Sequence, residues 1–114
     1  METLFVVGGD PRVSPRPAEA VRIAAGVSVW KKVAVTVFLS GPAVLALGEF
    51  ADELVDADNF TRYLTVLTEA GGRVLAEEGA RELAELGSSP VPFRVISMAQ
   101  LADLAAASRY VLRF

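Results

Sequence analysis

Neither cysteine nor histidine occurs in the 114 residues. Without thiols the chain forms no disulfide and carries no thiolate nucleophile. Without imidazole it lacks a usual zinc ligand and the side chain that most readily exchanges protons near neutral pH. Basic residues are sparse too: Lys and Arg total 11 against 14 Asp and Glu, a net charge of −3, and the lysines sit together as Lys31-Lys32. With no long basic run, no nucleic-acid partner is expected. No apolar run approaches the roughly 18 residues of a membrane span. The opening METLFVVGGD has no basic region of a secretory leader. The chain therefore reads as cytoplasmic, with no membrane partner, and its residues call for no cofactor and no metal.

Apolar side chains, by contrast, are plentiful. They make up 53% of the chain, above the ~45–50% of ordinary domains. A single domain over residues 1–114 buries roughly two-thirds of its unfolded surface, and an apolar surplus leaves surface for a partner subunit. The centre of the pattern is WKKVAVTVFLSGPAVLAL, Trp30 to Leu47. Its unbroken run Val33 to Leu39 reads as the body of a strand, Lys32 to Leu39, buried on both faces, which requires helices on both sides of a parallel sheet. Ser40-Gly41-Pro42 then turns the chain into a short helix, with Ser40 or Gly41 as cap and Pro42 in the first turn. Trp30 is expected to pack just before the strand.

In chain order, Leu4 to Val7 is a first strand ended by Gly8-Gly9-Asp10, and Pro11 to Pro17 is an extended loop. A helix follows from Pro17 to about Ala25, with Gly26 as its expected stop. EFADELVDAD, residues 49–58, holds Glu49, Asp52, Glu53, Asp56 and Asp58 with no basic residue. It is expected to be a solvated loop, or, by the spacing of Asp52, Glu53 and Asp56, a helical face of repelling carboxylates. Asn59 is the expected N-cap of a helix whose Phe60, Tyr63, Leu64 and Leu67 share one face. Gly71-Gly72 closes it, and Arg73 to Ala76 forms the third strand. Ala80 to Leu86 is a brief helix and Phe93 to Ile96 a fourth strand. Ser97 and Gln100 have the spacing of a capping box before an Ala-rich helix. Tyr110 to Phe114 alternates as an edge strand exposed on one face. The fold class is α/β, a three-layer α/β/α arrangement on a five-stranded parallel sheet.

The order of these signals resembles the DsrE/DsrF family of small sulfur-relay-type proteins. The matching stretches are the Gly-Gly-Asp-Pro loop, EAVRIAAG, KVAVTVFLSGPAVLAL, LTEAGGRVLA and the ending LADL followed by YVLRF. The resemblance implies a DsrEFH-like fold and assembly into homotrimers or hexamers. In the family's active sulfurtransferases it also implies a Cys after the third strand that carries persulfide sulfur. Aligned on AGGRVLA, that position falls on Glu77. A carboxylate cannot hold a persulfide, so sulfur transfer is not expected. A response-regulator receiver shares the gross architecture, but no Lys follows Lys32.

Ligands of open parallel sheets bind beyond the carboxyl ends of the strands. There the chain offers Gly8, Gly9, Asp10, Arg12, Ser40, Gly41, Glu77 and Glu78 as candidate ligand-binding residues, with Ser97 nearby, and none is assigned a catalytic role. Ser40-Gly41 either presents N–H groups to an anion or merely caps a helix. Asp10, Glu77 and Glu78 are either a carboxylate cluster or solvated loop residues, and Arg12 and Arg16 either bind an anion or pair with these acids. Two functional classes follow. One is a non-catalytic, oligomeric DsrE-like binding or accessory module that takes a protein or small-molecule partner. The other is an enzyme or anion-binding protein using Asp10, Ser40 and Glu77.

Overall fold

Ala34–Leu39 lies third in a sheet of five strands. Numbered along the chain, the strands are β1 (Glu2–Val7), β2 (Ala34–Leu39), β3 (Arg73–Glu77), β4 (Arg94–Ile96) and β5 (Tyr110–Arg113), in the spatial order β4-β3-β2-β1-β5. Every pairing is parallel, with Phe5 opposite Val37 and Val37 opposite Val74. This computed structural model describes residues 2–31 and 33–114. Lys32, the expected first residue of the central strand, lies outside them.

Because alternate residues of a strand point to opposite faces, β2 needs cover on both sides. Val35, Val37 and Leu39 join Phe5, Val7, Val74 and Ala76 under helices α1 (Arg16–Lys31) and α2 (Ala57–Glu69). The contribution of α1 is a row of small side chains, Ala18, Val21, Ala24 and Ala25, and that of α2 is Phe60, Leu64 and Leu67. On the other face Leu4, Phe38, Leu75 and Ile96 are covered by Leu101 of α3 (Met98–Ala107), with Leu104 and Ala105 beside it. Burial of side chains this large contributes about 1.5–3 kcal/mol each, so β2 is where most of the packing energy converges. The three-layer α/β/α arrangement expected from the sequence is the one observed.

Several boundaries differ from the sequence reading. Helix α1 does not stop at Gly26 but continues to Lys31. Glycine costs a helix interior about 1 kcal/mol, and the half-buried Val27 and the buried Ser28 beyond it pack against the domain, which outweighs that cost. Trp30 accordingly lies on the helix, 83% exposed, rather than packed before the strand. The acidic stretch is neither a loop throughout nor one helical face. Ala51–Glu53 is a 3₁₀ turn, and Asp56 adopts φ 54°, a left-handed conformation that Asp tolerates better than most residues. Asp56, not Asn59, is therefore the N-cap of α2, and the Asn59 side chain donates to the Ala18 carbonyl at 3.3 Å. The segments Gly41–Leu47 and Arg81–Glu85 are 3₁₀ rather than α-helical. Strand β5 is an edge as expected, yet all four of its residues are exposed, not one face alone.

Candidate functional site

The loops at the carboxyl ends of β1, β2 and β3 carry the candidate residues. After β2, the Ser40 N–H donates to the Val7 carbonyl at 2.8 Å, and the chain turns at Gly41, whose φ of 54° favours glycine. That turn directs the Ser40 hydroxyl and the Gly41 N–H toward β3. There Glu77 Oε1 accepts both, at 2.6 Å from Ser40 Oγ and 3.2 Å from Gly41 N. Sequence reasoning offered this turn as an anion site or a plain cap. The anion is supplied from within the chain: the carboxylate of Glu77 occupies it, and the Ser40 side chain makes no cap bond to its own segment.

The loop after β1 closes on itself. Arg12 donates to Asp10 through its backbone N–H, Nε and Nη2, each at 3.0 Å. These bonds hold the Asp10 carboxyl below its ordinary value and lift the guanidinium of Arg12 above its own, with the negative charges of Glu82 and Glu85 adding to the second effect. The loop is fixed at two further points. The Val55 N–H donates to the Pro11 carbonyl at 2.9 Å, and the Gly8 N–H to the Phe114 carbonyl at 3.1 Å. A Cβ on Gly9 would come within 3.3 Å of the Pro17 ring.

Ser40, Gly41 and Glu77 are thus brought together, while Asp10 pairs with Arg12 separately. Glu78 is exposed, its N–H bound to the Ile96 carbonyl at 2.9 Å. Of the two readings of Asp10, Glu77 and Glu78, the carboxylate cluster does not form. Among the described residues no three acidic side chains converge as a metal site would require. Asp10 follows β1 and is drawn to Arg12, Glu77 ends β3 and is drawn to Ser40 and Gly41, and Glu78, the next residue, is exposed. Ser97 and Gln100 form the capping box foreseen from their spacing, with bonds of 3.1 and 2.8 Å, so Ser97 serves α3 rather than a ligand. Arg16 is at the start of α1, its N–H donating to Ser14 Oγ at 3.2 Å, and takes no part in the Asp10 pair.

A cleft of about 320 Å³ lies beside Arg12, lined also by Leu45, Gly48, Phe50, Glu53, Leu54 and Glu85. Of these only Arg12 was singled out as a ligand residue from sequence. The acid bias of residues 49–58 was the available signal for Glu53, whereas Glu85 comes from a segment with no marked pattern.

No family model matches the sequence, and no curated protein does. A solved structure, the crystal structure of the YchN protein from E. coli, superposes with a TM-score of 0.80 at 19% identity, over 100% of this chain and 99% of that one. The fold is DsrE/DsrF-like. At that identity the likeness concerns architecture. Within this DsrE/DsrF-like fold, the end of β3 carries Glu77, held by the turn that follows β2. Among the described residues no helix is long and apolar enough to cross a membrane.

Proposed function

We propose that residues 1–114 form a DsrE-like domain that does not transfer sulfur and acts as a homo-oligomeric binding or accessory module, a trimer or hexamer, in the cytoplasm. The observation that carries this reading is the carboxylate of Glu77 at the strand end, engaged by Ser40 and Gly41. A sulfur carrier needs a nucleophilic thiolate there. Here the position is filled by an acceptor bonded inward. With no cysteine in the chain, no other side chain takes over that role.

Apolar surface supports the oligomeric part of the proposal. Tyr110, Val111 and Leu112 are exposed along the open edge of β5, and Val29 and Trp30 are exposed at the end of α1. An edge strand with unpaired backbone groups and apolar side chains is a ready pairing surface. The partners are accordingly further copies of the chain, a protein or a small ligand, rather than nucleic acid or membrane.

Two measurements test the reading. Incubation with a sulfane-sulfur donor followed by intact-mass spectrometry should leave the mass unchanged, and a stable protein-bound persulfide would overturn the non-transfer part. Light scattering at micromolar concentration should give three or six chain masses. A value near 12.1 kDa would overturn the assembly.

A further inference from the structure

The second half of α1 carries no charged side chain on any side before its last residue. From Ile23 to Trp30 it reads IAAGVSVW. Ala24, Ala25 and Ser28 are buried, whereas Gly26, Val29 and Trp30 are exposed and Ile23 and Val27 half-buried. A helix that is apolar on its outer as well as its inner side is one that something covers. That outer side is shaped. Arg22, Ile23, Gly26, Val27 and Trp30 line a groove of about 360 Å³. Nothing lies within 4 Å of where a Cβ on Gly26 would stand, so the groove is open there, and Trp30, 83% exposed, stands one turn further along the helix.

The occupant that matches this surface is a second copy of the same helix. Residues four apart share one side of a helix, so ring and gap face the same way. In a two-fold contact, residue i of one copy meets residue j of the other and j meets i. If two copies of α1 cross antiparallel with the axis midway between positions 26 and 30, each Trp30 lies over the other copy's Gly26, and Val27 comes beside Val29. Charge follows the same symmetry. Arg22 also lines a neighbouring cleft with Glu19, Asp56 and Asp58, where it is engaged by Glu19, while Asp56 and Asp58 form no ion pair among the described residues. At the other end, two lysines, Lys31 and Lys32, follow Trp30 in sequence. The order along α1 is thus acid, apolar, base, and an antiparallel copy sets base against acid at both ends. We propose that α1 forms a two-fold interface between copies of this chain, with Trp30 of each seated on Gly26 of the other. The inference rests on the homo-oligomeric reading above and narrows it: a trimer alone has no two-fold axis, so the contact joins two trimers into a hexamer.

Trp30 is the only tryptophan of the chain, so fluorescence and light scattering of the full chain test the contact together. At micromolar concentration the unaltered chain should show blue-shifted emission and weak quenching by acrylamide. On dilution both should revert to exposed values as the mass halves. Trp30→Ala truncates a central aromatic anchor and should raise the dissociation constant of the two-fold contact by about thirtyfold or more. Gly26→Leu keeps the ring but fills the groove and should have a similar effect, whereas a single methyl there leaves most of the volume free. Thermal unfolding confirms that both variants are folded, and the quenching of the unaltered chain needs no variant. A trimer whose Trp30 is freely quenched would overturn this contact and leave the homo-oligomeric reading standing. A monomer with a freely quenched Trp30 would overturn both. A dimer with a shielded Trp30 that Gly26→Leu exposes would support the contact while overturning the trimer or hexamer. A shielded Trp30 in an assembly that Gly26→Leu leaves intact would overturn the pairing of ring and groove.

Discussion

Ser40 Oγ lies 2.6 Å from Glu77 Oε1, joining the ends of two neighbouring strands across 37 positions of sequence. Because Gly41 donates to the same oxygen, the carboxylate sets the direction of the turn that opens the segment Gly41–Leu47. Glu77→Ala removes an ionised acceptor from two donors, a loss of about 1.5–3 kcal/mol for hydrogen bonds to charged groups. Partial exposure brings the expectation to the lower end of that range. Glu77→Gln keeps an acceptor and should lose less. Urea unfolding of both variants measures the difference, and identical stabilities for the parent and the Ala variant would show that the contact contributes nothing.

The pair formed by Asp10 and Arg12 gives the β1 loop a dependence on acid. Asp10 titrates below its ordinary 3.8, first because the Arg12 side chain donates to it and second because the Arg12 N–H does. A carboxyl lowered by folding adds stability that is full above the ordinary value and is lost as pH falls through the lowered one. The loop should therefore hold its order at pH 5 and loosen only below about pH 4. Amide exchange at Val13 and Ser14, whose N–H groups bind the Asp10 carbonyl, follows this directly. Asp10→Asn should make that exchange faster at neutral pH and flatten the acid dependence. An unchanged acid profile in the variant would assign the effect to another group.

Glycine substitutions separate two positions that look alike in sequence. Gly26 is inside α1, and a Cβ there meets nothing within 4 Å. Gly26→Ala should stabilise the protein by about 0.5–1 kcal/mol through helix propensity alone. Gly72 follows α2, and a Cβ there would lie 2.6 Å from Leu67 Cδ1 and 2.9 Å from the Leu67 carbonyl oxygen. Since backbone must move, Gly72→Ala should destabilise by about 1–3 kcal/mol. Thermal unfolding in the order Gly72→Ala, parent, Gly26→Ala checks both, and any other order contradicts the packing described.

What could be read from the residues follows how local each cause is. The unbroken run Val33 to Leu39 declared a buried strand because a strand apolar on both faces has no other stable place, and the capping box of Ser97 and Gln100 is a matter of three residues. Gly26 misled because a stop signal is local whereas the burial that overrides it, at Ser28 and Val27, comes from packing against the rest of the domain. Asn59 misled in the same way: its side chain is drawn to Ala18 on a helix 41 positions earlier. The site divides along the same line. That Ser40 and Glu77 both lie at strand ends was legible. That one neutralises the donors of the other depends on β2 and β3 being neighbours in register, with Leu39 opposite Ala76.

Phe114 stacks on Phe5, with ring centroids 5.8 Å apart and planes inclined by 12°. Phe5 is fully buried in the larger core, so the stack joins the residue after β5 to the centre of the domain. The backbone of Phe114 is held as well, its N–H donating to the Val6 carbonyl at 2.9 Å and its carbonyl accepting from Gly8. Phe114→Ala keeps those bonds possible but loses the aromatic pair, about 0.5–1.5 kcal/mol beyond area burial, together with part of the apolar burial of a side chain that is only half buried. The expected loss is about 2 kcal/mol, below the ~3–5 of a fully buried Phe. Phe114→Leu retains apolar contact without the stack and should lose about half as much. Because Gly8 opens the loop that places Arg12 at the cleft, Phe114→Ala should also quicken amide exchange at Gly8 while leaving Gly41 near Glu77 unchanged. Equal exchange at both glycines, or a stability within about 0.5 kcal/mol of the parent, would mean that the ring pair does not anchor this end of the sheet.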